Sequence, residues 1–289
     1  MKTLSAWRDE GRSFTWRGHR IRHWEGGGGN APPLLLIHGF PTASWDWHLV
    51  WDDLCGRFSR VIAADMIGFG FSDKPKRYDY AIHDQADLQE ALLAELGVGQ
   101  CHVLAHDYGD TVAQELLARR TRAELLSVCF LNGGLFPETH RARFVQRVLA
   151  GPLGPALARL VNERSFRRSF SGVFAKDTKP TRAEISDLWR LVAENDGPAV
   201  FPKLIGYMEE RKRFRERWVG ALVRATIPLR VIDGADDPVS GAHMVARYRE
   251  IVPNPDVILL HGVGHYPQLE APRAVLDGFL DHVTRCNER

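Results

Sequence analysis

The chain has 289 residues, 44% of them hydrophobic and 26% charged, enough length for a sizeable core and an ordinary soluble globular composition. Its formal net charge of +2 gives no sign of a nucleic-acid or membrane partner, and no run of about 18 consecutive apolar residues predicts a membrane span. The four cysteines form no CxxC pair, and Cys101 and Cys129 sit in apolar runs, so buried thiols in a reducing compartment are expected.

The first 22 residues are polar and charged, without the apolar stretch of a secretory signal, and a cytoplasmic protein is expected. Residues 14–17 and 20–24 flank Gly18-His19 and read as a β-hairpin. Gly26 to Gly29 follow as a turn, with no helix start or Lys-Ser/Thr behind them to suggest phosphate binding. Residues 34–37, Leu-Leu-Leu-Ile, form a short continuous apolar run, the mark of a strand buried on both faces. Residues 60–64, 101–105, 127–131, 229–232 and 257–260 repeat that signature. Between them, residues 84–96 place Leu88, Ala91, Leu92 and Leu96 at helical spacing before Gly97, and residues 111–119 and 271–283 read likewise.

This alternation predicts an α/β fold with a mostly parallel central sheet flanked by helices. It fails between residues 138 and 222, a stretch rich in Arg, Phe, Leu and Trp and interrupted by Pro152, Pro155, Pro180, Pro198 and Pro202. The expected organisation is therefore a core, residues 1–137 and 223–289, with a helical cap, residues 138–222, inserted between two core strands. The arginines between Arg141 and Arg224 are interleaved with Glu and Asp and read as solvated cap surface, not as an anion-binding patch.

Four turns carry the chemistry. His38-Gly39-Phe40-Pro41 follows the strand at residues 34–37, where a tight turn can aim a backbone N–H into the crevice at the carboxyl end of the sheet. Ala105-His106-Asp107-Tyr108-Gly109 has the form small-x-nucleophile-x-small, in which small flanking residues permit the sharp strand-to-helix turn that exposes the central side chain. Here that side chain is a carboxylate, and the N–H groups of Phe40 and Tyr108 are expected to form an oxyanion hole beside it. Asp107 could instead cap the following helix, but Asp110 reads as the better-placed cap. Gly234-Ala235-Asp236-Asp237-Pro238 offers an orienting acid, with Asp237 preferred to Asp236, and Gly264-His265-Tyr266-Pro267 offers a base. Nucleophile, acid and histidine thus fall in the order of an α/β-hydrolase triad: Asp107, Asp237, His265. His38, His106, Tyr207 and Tyr266 are candidate substrate contacts. His102 and His106 are spaced i,i+4 on a strand, without H-E-x-x-H, so no metal is expected, and no cofactor.

At these motifs the chain resembles the α/β-hydrolase superfamily, in particular its epoxide hydrolase and haloalkane dehalogenase branch. That branch shares His-Gly-x-Pro, an Asp nucleophile in His-Asp-x-Gly, and the pattern of Gly264-His265-Tyr266-Pro267-Gln268-Leu269-Glu270-Ala271-Pro272. A closer likeness is to the mesoderm-specific transcript protein family. It rests on Gly68-Phe69-Gly70-Phe71-Ser72-Asp73-Lys74-Pro75, His106-Asp107-Tyr108-Gly109-Asp110, Val112-Ala113-Gln114-Glu115-Leu116-Leu117, Asn132-Gly133-Gly134, Phe136-Pro137-Glu138-Thr139-His140-Arg141 and Arg217-Trp218-Val219-Gly220-Ala221-Leu222.

A serine nucleophile needs a base, whereas an ordinary aspartate is already ionised at neutral pH. Carboxylate attack on a saturated carbon gives an alkyl ester, which water activated by His265 would hydrolyse. The expected substrate is a small molecule with an electrophilic saturated carbon, an epoxide or an alkyl halide. The resemblance implies halide donors from a Trp after the nucleophile and an Asn after His-Gly, where this chain has Tyr108 and Phe40. It implies tyrosine proton donors for an epoxide, and Tyr207 is the one tyrosine in the inserted region. Some dehalogenases place their acid where this chain has Asn132. Epoxide hydrolysis therefore leads over dehalogenation. A non-catalytic binding protein on a hydrolase fold is the reading from another class. Substrate identity and oligomeric state stay open.

Overall fold

The computed structural model describes residues 2–287. The chain opens with helix α1 (Leu4–Glu10) and a hairpin of β1 (Arg12–Trp16) and β2 (His19–Gly26). Then come β3 (Leu34–Ile37), α2 (Trp51–Arg57), β4 (Val61–Ala64), α3 (Ile82–Glu95), β5 (Gln100–His106), α4 (Tyr108–Ala118) and β6 (Glu124–Leu131). Seven α-helices follow before the next strand: α5 (Phe144–Leu149), α6 (Gly154–Ala158), α7 (Glu163–Phe170), α8 (Arg182–Ala193), α9 (Phe201–Leu204), α10 (Tyr207–Arg213) and α11 (Arg215–Val223), with a 3-10 helix (Glu194–Val200) between α8 and α9. The chain ends with β7 (Leu229–Gly234), α12 (Ala242–Ile251), β8 (Val257–Leu260), α13 (Pro267–Glu270) and α14 (Pro272–Asn287).

All eight strands join one sheet in the order β1-β2-β4-β3-β5-β6-β7-β8. The β1–β2 and β2–β4 pairs are antiparallel, and every pair from β4 onward is parallel. Parallel neighbours need crossovers, which the core helices supply. They cover both faces, so β3 and β4 are buried along their whole length, and this is why their sequences read as unbroken apolar runs.

Several element boundaries differ from the sequence reading by a few residues, and two of the differences have a local cause. The hairpin turns at Arg17 and Gly18, both at positive φ, and His19 already pairs with Trp16. Two-residue hairpin turns favour positive φ at both central positions, which Gly18 adopts without steric cost. The helix expected to begin near Asp110 starts at Tyr108, directly after the elbow, so Asp110 lies buried in its first turn and is not its cap.

The inserted helices are anchored at their last member. Glu115 of α4, fully buried, accepts hydrogen bonds from Arg217 Nε and Trp218 Nε1 of α11, each at 2.7 Å. At the other end of the sheet, Trp7 of α1 stacks on Trp24 of β2 and meets Trp51 of α2 edge-on, both at 4.9 Å. No helix among the described residues is long and apolar enough to cross a membrane.

Candidate active site

Strand β5 ends at His106 and α4 begins at Tyr108, so one residue makes the whole turn between them. That residue, Asp107, takes φ 48° and ψ −104°, a conformation that non-glycine residues rarely adopt and that stores strain. Close packing around it requires glycines. A Cβ on Gly109 would lie 2.4 Å from the Ile37 carbonyl oxygen, and one on Gly39 would lie 2.7 Å from His106 Nδ1 and 3.0 Å from Asp107 Cβ.

Because Ile37 pairs with Ala105, the turn after β3 lies beside this elbow. The Phe40 N–H donates to Asp107 Oδ2 at 3.1 Å. The Tyr108 amide comes directly after Asp107 and opens α4, whose positive end favours an anion there.

Asp237, in the turn after β7, is buried and heavily bonded. Its carboxylate accepts from the Val239 N–H at 2.7 Å, the Ser240 hydroxyl at 2.8 Å, the Ser240 N–H at 3.1 Å and Asn132 Nδ2 at 3.1 Å. Its Oδ2 also lies 2.7 Å from His265 Nδ1. Asp236 is exposed. Burial alone would raise the Asp237 carboxyl, but His265 and these donors outweigh it and hold it down to about 2. Burial likewise disfavours charge on His265, yet Asp237, with Asp107 behind it, raises the imidazole to about 9. His265 Nε2 stands 3.9 Å from Asp107 Oδ1, beyond hydrogen-bond range.

The remaining candidate residues take three kinds of place. His38 and His106 are structural neighbours of the site. The Met66 N–H donates to His38 Nε2, so His38 Nδ1 carries the proton and donates to the Gly39 carbonyl at 2.9 Å. His106 Nε2 bonds the His265 carbonyl at 2.8 Å, and burial, then the His265 charge, lowers His106 to about 3, which keeps it neutral. Tyr266 lines the cavity over Asp107, and its hydroxyl donates to the Phe40 carbonyl at 3.2 Å. Tyr207 packs on Tyr108 at 5.0 Å and is fully buried, outside the set of residues lining that cavity.

Two contributors have no clear mark in the sequence. Arg211 of α10 is buried against the elbow, donating from Nη2 to the Asp107 carbonyl at 3.0 Å and from Nε to Thr111 Oγ1 at 2.7 Å. It lies among many surface arginines, and only the fold singles it out. Ser240 meets the acid through both its N–H and its hydroxyl, and its Oγ also lies 3.0 Å from the Asn132 carbonyl oxygen. Asn132, whose amide rules it out as the acid, orients Asp237 and accepts the Gly234 N–H at 2.7 Å.

A cavity of about 310 Å³ opens over Asp107 and His265. Its walls are chiefly apolar, with Phe40, Leu157, Val161, Phe166, Phe170 and Phe201 among them. Arg143, Gln146, Ser165, Ser169 and Tyr266 supply its other polar groups, and no tryptophan or asparagine is among the described lining residues. Among the described residues no cluster of His, Cys, Asp or Glu is arranged to hold a metal ion.

Residues 34–277 match the model of the alpha/beta hydrolase family. The mesoderm-specific transcript protein of Mus musculus is 42% identical over 293 aligned positions, covering 97% of this chain and 88% of that protein. Solved structures that share the fold include two enzymes of this kind of architecture. An epoxide hydrolase, CorEH, superposes with a TM-score of 0.77 at 21% identity, over 95% of this chain and 98% of its own. A loop variant of the haloalkane dehalogenase DbeA from Bradyrhizobium elkanii does so with 0.80 at 23% identity, over 96% and 97%.

Proposed function

We propose, from the premise that this chain belongs to the alpha/beta hydrolase family, that it is a cofactor-independent hydrolase that opens epoxides to diols through an alkyl ester on Asp107. The observation that carries this reading is the placement of the two carboxylate oxygens of Asp107. Oδ2 is held by the Phe40 N–H, while Oδ1 faces His265 without a hydrogen bond between them. Oδ1 is therefore the attacking atom, and Oδ2 becomes the ester carbonyl.

In the first step Oδ1 bonds to an epoxide carbon, the carbon–oxygen bond of the ring breaks, and the released oxygen takes a proton. A donor must reach the cavity, which favours the hydroxyl of Tyr266 over that of Tyr207. Alkylation makes Asp107 neutral and removes one of the charges that raise His265. The imidazole then titrates at a lower pH and accepts a proton from water. Hydroxide adds to the ester carbonyl, the oxyanion forms on Oδ2 beside the Phe40 N–H, and collapse expels the diol oxygen, which recovers the proton from His265; the carboxyl proton left on Asp107 returns to the tyrosinate, restoring both groups. Water oxygen stays in Asp107.

A halide leaving group would need N–H donors, and the apolar walls offer neither an indole nor an asparagine amide. This favours the epoxide over dehalogenation, the second reading. One turnover in ¹⁸O-labelled water should place label in Asp107, and its absence there would rule out the ester. Diol release from an epoxide panel against halide release from alkyl halides separates the two substrates.

A further inference from the structure

The small net charge conceals a local excess. Residues 141–168 hold seven arginines against one acid, Glu163. Later in the insertion, residues 169–222 set eight acidic residues against ten basic ones, and ion pairs there join Arg190 with Asp187, Lys212 with Glu209, Arg215 with Glu138 and Arg217 with Glu115. The seven earlier arginines have no such pairing among the described residues. The interleaving of charge read from the sequence thus holds for the second half of the insertion and fails in the first.

The same segment exposes apolar side chains. Of five large hydrophobic residues exposed in the described chain, four lie here: Phe144 (75%), Leu153 (70%), Leu160 (70%) and Val145 (36%). Val145, Leu160 and Arg143 also line the cavity over Asp107, so this surface forms the rim of its mouth. Exposed apolar side chains interspersed with arginines that form no ion pair among the described residues, all within one segment, mark an interaction face.

Charge decides what covers it. A second copy laid on this face would oppose like charges at close range, which is costly. A nucleic acid would use the arginines and leave Phe144, Leu153 and Leu160 in water. An anionic lipid surface rewards both, since its phosphates pair with arginine and its acyl boundary accepts the apolar side chains. We infer that α5, α6 and α7 seat the protein on an anionic lipid surface, with the cavity mouth against it, so that an apolar substrate passes from lipid to Asp107 without crossing water. The seating stands independently of the chemistry, and only the substrate's route rests on the reading of Asp107 as nucleophile.

Co-sedimentation with vesicles tests the seating directly. The protein should bind vesicles of mixed phosphatidylglycerol and phosphatidylcholine, bind phosphatidylcholine alone far less, and be partly released by salt. Leu153→Ser/Leu160→Ser and Arg164→Ser/Arg168→Ser should each weaken binding roughly five-fold or more, while Val223→Ser, the fifth exposed position, should bind as the parent does. Asp107→Asn should also bind normally while losing activity, so a failure of the catalytic reading would show as retained activity in that variant and would leave the vesicle result untouched. No binding to anionic vesicles would overturn the inference. So would unchanged binding by the leucine double variant, which would mean adsorption by charge alone, or loss of a dimer in that variant without any vesicle binding. For the route, Phe144→Ser/Leu153→Ser, at two exposed positions outside the cavity lining, should lose rate on a long-chain epoxide dissolved in vesicles and keep it on a short water-soluble one; equal effects on both would overturn that half.

Discussion

Asp107 holds its strained φ only because its neighbours leave room and partners to fix it. Gly109 abuts the Ile37 carbonyl, and Arg211 clamps the Asp107 carbonyl from the opposite element. Gly109→Ala should therefore cost more stability than the ordinary glycine-to-alanine change, since the clash is with backbone at 2.4 Å; a fall in the melting midpoint measures it, and an unchanged midpoint would contradict the packing argument. The His265–Asp237 pair gives a pH signature. His265 is raised to about 9, so its contribution to stability is full below its unfolded value, about 6.5, and is lost as pH rises through 9. Asp237 is lowered to about 2, so its contribution is full above about 4 and is lost as pH falls through 2. The stability gap between the parent and Asp237→Asn should be widest between about pH 4 and 6.5 and should narrow above pH 9 in denaturant titrations. At this scale the sequence marks residues that sit in turns with their own local pattern. It does not mark Arg211, whose role exists only once α10 packs against the elbow, nor the bond from Ser240 to Asp237, which depends on the turn closing back on itself.

Among elements, the link between α4 and α11 joins the inserted helices to the sheet's own layers. Burial would raise the Glu115 carboxyl, but Arg217, Trp218 and Arg119 together hold it down to about 2. Its stabilising effect is accordingly present above the usual glutamate range and fades as pH falls toward 2. Glu115→Ala leaves the buried Trp218 indole N–H unmatched, while Arg217 and Arg119 can reach water, and should cost about 1–3 kcal/mol, read by chemical denaturation at pH 7, with a smaller difference in acid. The central strands were legible because two-sided burial writes itself as an unbroken apolar run: β3 coincides with the residues so identified and is buried throughout, whereas β8 has the expected bounds but is a half-buried edge strand and not one covered on both faces. The insertion was legible only as an interruption. Several of its helices are a turn or two long and broken by proline, so no single stretch carries a full helical period, and which faces meet is settled by contacts across the fold.

Over the whole molecule, the sheet delivers Asp107, Asp237 and His265 from three loops to one end, and the inserted helices roof them with an apolar chamber of about 310 Å³. The chamber's size and apolar lining suit a modest apolar molecule, which in the proposed reaction carries one electrophilic carbon and in the proposed seating enters from lipid. Parallel topology made the site's location predictable, because ligands in open α/β sheets gather at the carboxyl ends of strands. The shape of the roof was not predictable, being a product of packing between short helices. Tyr266→Phe should slow ester formation by more than Tyr207→Phe does, since Tyr266 alone of the two lines the chamber; rapid-quench measurement of the alkylation step would show it, and the reverse order would reassign the donor.

The central claim is that Asp107 forms a covalent ester which His265 resolves. His265→Gln protein keeps the nucleophile and loses the base, so incubation with a reactive epoxide should leave a stable added mass on the peptide that contains Asp107, one adduct per chain and absent from Asp107→Asn/His265→Gln. Intact mass and peptide mapping with no adduct on Asp107, while the parent enzyme turns over the same epoxide, would contradict it.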